Sequence, residues 1–109
     1  MVKGRRRVRD LNDALRRTFT GGRIMLTAGV TTLPLEARAA VLAAIRGFEA
    51  FDPDDDPHGE HVLGVLTVAG YRCLWKIDCF DRGQRVHSLG SADPAVAVRV
   101  LTIMLAEEY

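Results

Sequence analysis

A chain of 109 residues with 48% hydrophobic residues, 27% charged residues and a formal net charge of +1 has the composition of an ordinary globular domain. Those figures exclude a disordered polyelectrolyte and a collagen-like or coiled-coil rod. No apolar run approaches the roughly 20 residues needed to span a bilayer, and no apolar stretch follows Arg5-Arg6-Arg7 to make a secretory signal.

The first 7 residues read as a flexible basic arm, and 8–109 as one globular domain. From Val8 to Phe19, Val8, Leu11, Leu15 and Phe19 recur at intervals of three and four, one narrow apolar stripe of a helix. Gly21-Gly22 punctuates its end. Arg23 to Val30, with Ile24, Met25, Leu26 and Val30, reads as a largely buried strand. Thr31 and Thr32 are cap candidates for a second helix, with Pro34 in its first turn. That helix runs from Leu35 to about Phe51 on an alanine-rich pattern, with Gly47 either ending it or lying inside it.

Asp52 to His61 is a loop, because its prolines, glycine and aspartates leave no periodic pattern. Two strands follow, Val62–Val68 and Tyr71–Phe80, joined by an Ala69-Gly70 hairpin turn. In the second, Tyr71, Cys73, Trp75, Ile77 and Cys79 share one face, opposite Arg72, Leu74, Lys76, Asp78 and Phe80. Cys73 and Cys79 lie about 20 Å apart on such a strand, too far to bridge, and so read as reduced thiols in a reducing compartment. A short fourth strand fits Gln84–Leu89. Asp93 and Pro94 look like the start of a last helix, with Val96 to Leu105 apolar nearly all round. The expected fold is α+β: a small antiparallel sheet of three or four strands with three helices packed on it, in the order α-β-α-β-β-(β)-α.

Two clusters could carry chemistry. Arg5, Arg6, Arg7 and Arg9 cluster at the start of the first helix and oppose its dipole, which makes them, with Arg16 and Arg17, candidates for phosphate contacts in a nucleic-acid-associated factor. No interleaved aromatics or known nucleic-acid motif accompany them. The acidic stretch from Glu49 to Glu60 resembles the opening of a calcium loop, then fails where Pro57 and Leu63 replace the glycine and glutamate such a loop requires. His58, Glu60 and His61, converging with Asp78 and Asp81, would make a divalent-metal site and with it a metal-dependent enzyme. A metal-dependent nuclease would want an acid two residues before Lys76, where Leu74 stands. No phosphate loop, nucleophile elbow or complete catalytic constellation is present, so no cofactor is expected beyond that metal.

Taken together, Arg9-Asp10-Leu11-Asn12-Asp13-Ala14, Thr18 to Gly29, Asp56-Pro57-His58-Gly59-Glu60-His61, Trp75-Lys76-Ile77-Asp78 and Asp93 to Tyr109 resemble a family of small bacterial proteins known as domain of unknown function thirty-seven sixty-eight. The resemblance runs over about residues 8–109 and implies a stand-alone cytoplasmic protein, many members being carried on plasmids or other mobile segments. It implies no activity. The chain departs from the family pattern at Val62 and Leu63, where an aspartate and an aromatic are usual, and at Cys79 and Phe80, where tyrosines are. The function expected is therefore a non-enzymatic accessory or protein-interaction module, binding another protein or itself and no membrane. A nucleic-acid factor and a metal-dependent enzyme are the alternatives.

Overall fold

The computed structural model describes residues 2–81 and 97–109, with side chains from 8 to 80 and from 97 to 109. The elements are α1 (Val2–Thr18), β1 (Arg23–Leu26), α2 (Ala28–Thr31), α3 (Leu35–Arg46), β2 (Leu63–Val68), β3 (Tyr71–Asp81), β4 (Ala97–Leu105) and a closing 3₁₀ turn (Ala106–Glu108). The strands form one sheet in the order β1-β4-β3-β2. β1 runs parallel to β4, while β4, β3 and β2 are antiparallel neighbours. This is the expected α+β fold, with a mixed rather than a wholly antiparallel sheet.

The main departure is the last element. Val96 to Leu105 reads as a helix because it is apolar nearly all round, yet Ala97–Leu105 is β4, the strand between β1 and β3. A central strand is flanked by backbone on both edges and is shielded on both faces, so its pattern is continuous rather than alternating. Periodicity does not separate that from a buried helix; the β-branched Val98, Val100, Thr102 and Ile103 do. The Gln84–Leu89 strand and the Asp93-Pro94 helix start lie outside the described residues.

Other boundaries shift for local reasons. α1 has helical backbone from Val2, ahead of its apolar stripe, and ends before Phe19, which takes a left-handed φ of 57°. The strand expected to reach Val30 stops at Leu26, and the backbone turns into α2. α3 stops at Arg46 with Gly47 as its cap, and Pro34 rather than a threonine precedes it. Phe48 and Phe51 thus leave the helix and fold back onto Trp75, with ring centroids 5.5 and 6.1 Å away. The hairpin forms as read: Ala69 and Gly70 carry φ of 53° and 83°, the two positive values a type I′ turn requires.

The core joins Leu15 of α1, Val30 of α2, and Val41 and Ile45 of α3 to Cys73, Trp75, Ile77, Leu101 and Ile103 of the sheet. All of these strand residues lie on one face, so the described helices cover that face. Gly64 lies in β2 beneath the Trp75 indole and Phe48; a Cβ there would collide with both rings. The close approach of an aromatic ring to backbone is what requires glycine at this position.

Candidate functional site

The residues richest in chemistry meet where α1 crosses the end of the 52–61 loop. Asn12, Asp13 and Arg16 project from α1 at helical spacing and are all buried. Arg16 is fully buried: its guanidinium donates to the Ile45 and Arg46 carbonyls at 2.9 and 3.2 Å and to Asp13 Oδ1 at 3.3 Å. It therefore caps the C-terminus of α3, where a cation is favoured by the helix dipole. The same group lies 5.4 Å from the Phe51 ring and 5.3 Å from the Trp75 ring. Burial pushes the guanidinium below its ordinary pKa, and Asp13 opposes that shift.

Asp13 is shared. Its Oδ1 also accepts from His61 Nδ1 at 2.8 Å, so that nitrogen carries the proton. His61 stacks flat on Phe51, with centroids 3.6 Å apart and planes 3° from parallel. Its backbone sits at φ 57°, held there by Asp56 Oδ1, which accepts from the Glu60 and His61 amides at 3.0 and 3.1 Å. Its Nε2 faces Asp56 Oδ2 at 3.7 Å. Asn12 links the two sides: its Nδ2 donates to the Glu60 carbonyl at 2.9 Å, and its Oδ1 accepts from Arg99 Nε at 2.9 Å. Arg99 lies opposite Cys79 in the β3–β4 ladder; burial lowers its pKa, against the pull of Cys79 and Glu60.

This arrangement differs from both sites expected from sequence. Arg16, expected among the phosphate contacts, is an internal cap and is not available on the surface. Arg17 is exposed and pairs with Glu49 at 3.3 Å, and Arg9 lies 4.0 Å from Asp10. The side chains of Arg5, Arg6 and Arg7 lie outside the described residues. Of the five metal candidates, His61 lies on the helix-covered side, against Phe51 and through it Trp75. Asp78 alternates with Ile77 and Cys79 onto the opposite face of β3, where it pairs with Lys76 at 3.2 Å. His58 is exposed, and Glu60 contributes its carbonyl to Asn12. The side chain of Asp81 lies outside the described residues. Among the described residues no three His, Cys, Asp or Glu side chains group as metal ligands do.

The buried network was only partly visible in sequence. Asn12 falls four residues after Val8, inside the arc of the apolar stripe, and a polar residue in that position signals an internal hydrogen bond. Nothing in the local pattern marks Arg16 or Arg99 as buried. Chemically, the network is a carboxylate-oriented imidazole whose second nitrogen faces another carboxylate rather than a cavity. A cavity of about 340 Å³ lies on the other sheet face, lined by Arg23, Met25, Lys76, Asp78, Phe80, Val100 and Thr102. The two features do not combine into one site.

Residues 26–108 match the family model described as Protein of unknown function (DUF3768). The match begins at the end of β1, so the Arg9–Ala14 block that contributed to the resemblance lies outside it. No curated protein and no solved structure matches the chain.

Proposed function

The chain belongs to that family of unknown function, membership brings no activity with it, and we propose that the protein is a non-enzymatic interaction module working through the sheet face opposite Trp75. The observation that carries this reading is that, among the described residues, helices cover only the Trp75 face of the sheet. The described helices and the Phe48–Phe51 turn all pack on the Trp75 face. Around the buried Leu74, Val100 and Met104, the other face presents Met25, Leu63, Val65 and Val98 beside Arg72 and Lys76. Met25 is 56% exposed and Val65 40%. An apolar strip set among charges is the usual make-up of a protein-binding surface. On the helix side Asp13, Arg16, His61 and Arg99 are engaged in hydrogen bonds within the fold and support it.

Two buried, unpaired thiols, Cys73 and Cys79, agree with a reducing, cytoplasmic setting. Among the described residues no helix is long and apolar enough to cross a membrane. The accessory role on a mobile element implied by the family resemblance fits a small module of this kind and is part of the same proposal.

The test compares the wild type with Met25→Glu, immobilised and exposed to lysate of the source cell, with captured proteins identified by mass spectrometry. Met25 is exposed enough that the charge costs the fold no more than about 0.5 kcal/mol. Proteins retained by the wild type and lost with the variant are the expected result. Identical captures, or none with either, overturn the reading.

A further inference from the structure

β2 is an edge strand without the devices by which folded proteins keep an edge from pairing. Among the described strands the sheet order leaves β1 and β2 outermost. β1 is four residues long, begins at Arg23 and is followed almost at once by α2. β2 runs Leu63-Gly64-Val65-Leu66-Thr67-Val68, with no charge, no proline and an unbroken one-to-one register with β3, hence no bulge. Short length, charge, proline and bulges are the ordinary protections of an edge. β1 has two of them and β2 has none.

The register shows which backbone groups are unused. The Ile77 amide donates to the Val62 carbonyl at 2.8 Å, so Val62 and Ile77 form a hydrogen-bonded pair. Such pairs recur at every second residue of an antiparallel ladder. Gly64, Leu66 and Val68 therefore spend their amides and carbonyls on β3. Leu63, Val65 and Thr67 direct theirs outward, and among the described residues no hydrogen bond reaches them. Val65 and Thr67 are exposed.

We propose that a second copy of this chain pairs with that edge, antiparallel about a two-fold axis at Val65, to give one continuous eight-stranded sheet. The inference goes beyond the interaction-module reading, which concerns a sheet face, and assigns a second surface, the β2 edge. Facing residues in such a pair must point to the same side of the joined sheet, and the hydrogen-bonded ones must both have outward backbone groups. An axis at Val65 sets Val65 against Val65, and Leu63 against Thr67 in both directions. Every outward residue of β2 is then used, each pair exchanging both bonds. An axis at Leu66 sets Leu63 against Ala69 in the turn; one at Gly64 sets Thr67 against His61, whose φ of 57° is not that of a strand. The facing pairs are uncharged, so no like charges meet. The antiparallel direction also brings the end of β2 preceded by the acids of residues 52–60 against the end followed by exposed Arg72 of the other copy.

Light scattering over a range of concentrations should show the mass rise from 12.0 kDa towards twice that value. Val65→Lys should be monomeric where the wild type is dimeric, with the same circular dichroism, because its side chain is exposed and its amide takes no part in the β3 ladder. Cysteine probes report the register directly. Two Val65→Cys copies would lie about 5.5 Å apart between Cα atoms, within disulfide reach, and should link on mild oxidation. Two Thr67→Cys copies would lie about 13 Å apart along the strands and should not, the native thiols being buried. A mass of 12.0 kDa at every concentration, a dimer indifferent to Val65→Lys, or equal linking of the two probes overturns the proposal. A monomer that still loses captured proteins with Met25→Glu overturns self-pairing alone and leaves the interaction reading standing.

Discussion

Replacing Arg16 by Met separates a buried structural arginine from its exposed neighbour Arg17. Arg16 has no exposed surface and makes three hydrogen bonds, two of them to the Ile45 and Arg46 carbonyls that end α3. Methionine fills much of the volume but donates nothing. The Arg46 carbonyl loses the guanidinium, the Ile45 carbonyl keeps only the Phe48 amide, and Asp13 keeps only His61. Removing one member of a buried, hydrogen-bonded ion pair costs about 3–5 kcal/mol. Arg17→Met removes an ion pair whose side chains are 49% and 73% exposed, and should change stability by no more than about 0.5 kcal/mol. Urea unfolding monitored by tryptophan fluorescence measures both, Trp75 being the single tryptophan and lying beside Arg16. With a slope of about 2 kcal/mol per molar urea, the Arg16 variant should unfold about 2 M earlier and the Arg17 variant at almost the wild-type midpoint. Arg16→Lys should recover only part of the loss, because an ammonium cannot reach two carbonyls and a carboxylate in the plane of a guanidinium. Equal midpoints for Arg16→Met and Arg17→Met would refute the assignment of Arg16 as an internal cap.

Three further perturbations test other joints. Gly64→Ala forces Trp75 and Phe48 to move and should cost about 1–3 kcal/mol, read as a lower urea midpoint with changed tryptophan emission. Ala69→Asn should stabilise the hairpin by about 0.5–1 kcal/mol, because Ala69 holds a φ of 53° that asparagine adopts more readily, measured as a higher melting temperature. Glu108 accepts from Thr27 Oγ1 and from the Leu105 and Gly29 amides, which hold its carboxyl below the usual range. Its contribution is therefore complete above the unfolded pKa and lost as pH falls through the lower folded value. The protection of the Gly29 and Leu105 amides, taken relative to intrinsic exchange at each pH, should fall on acidification through that window, and Glu108→Gln should abolish that change in protection.

The elements legible in sequence are those whose local signal and tertiary role agree. The β2–β3 hairpin is one: its turn chemistry, the alternation in Tyr71–Phe80 and the burial of Cys73, Trp75, Ile77 and Cys79 all point the same way. β4 is the opposite case. A segment protected on all sides reads as uniformly apolar whether it is a helix or a central strand, and only its neighbours, β1 and β3, decide. α3 ends early because Phe48 and Phe51 gain more by packing on Trp75 than by extending the helix past Gly47. That preference is set by residues some 25 positions away and leaves no local mark.

The site failed to be legible for a related reason. Arginines near a helix start look like a solvated basic surface, and the sum of charge over residues 1–20 cannot distinguish a guanidinium facing water from one facing a helix end. Arg16 is drawn inside because the last carbonyls of α3, Ile45 and Arg46, have acceptor capacity left at the helix end, Asp13 sits one turn before it on α1, and two aromatic rings border the same space. His61 follows from the same geometry. Asp13 binds it, Phe51 stacks on it and Asp56 fixes its backbone, so one of the two histidines of the expected metal site is held by the fold itself. Asp13 thereby ties α1, α3 and the acidic loop to one carboxylate, and the loop leads directly into β2. The β2 edge is thus held at its entrance by the buried network, so that the chemistry on the helix side positions the strand on which the proposed pairing depends.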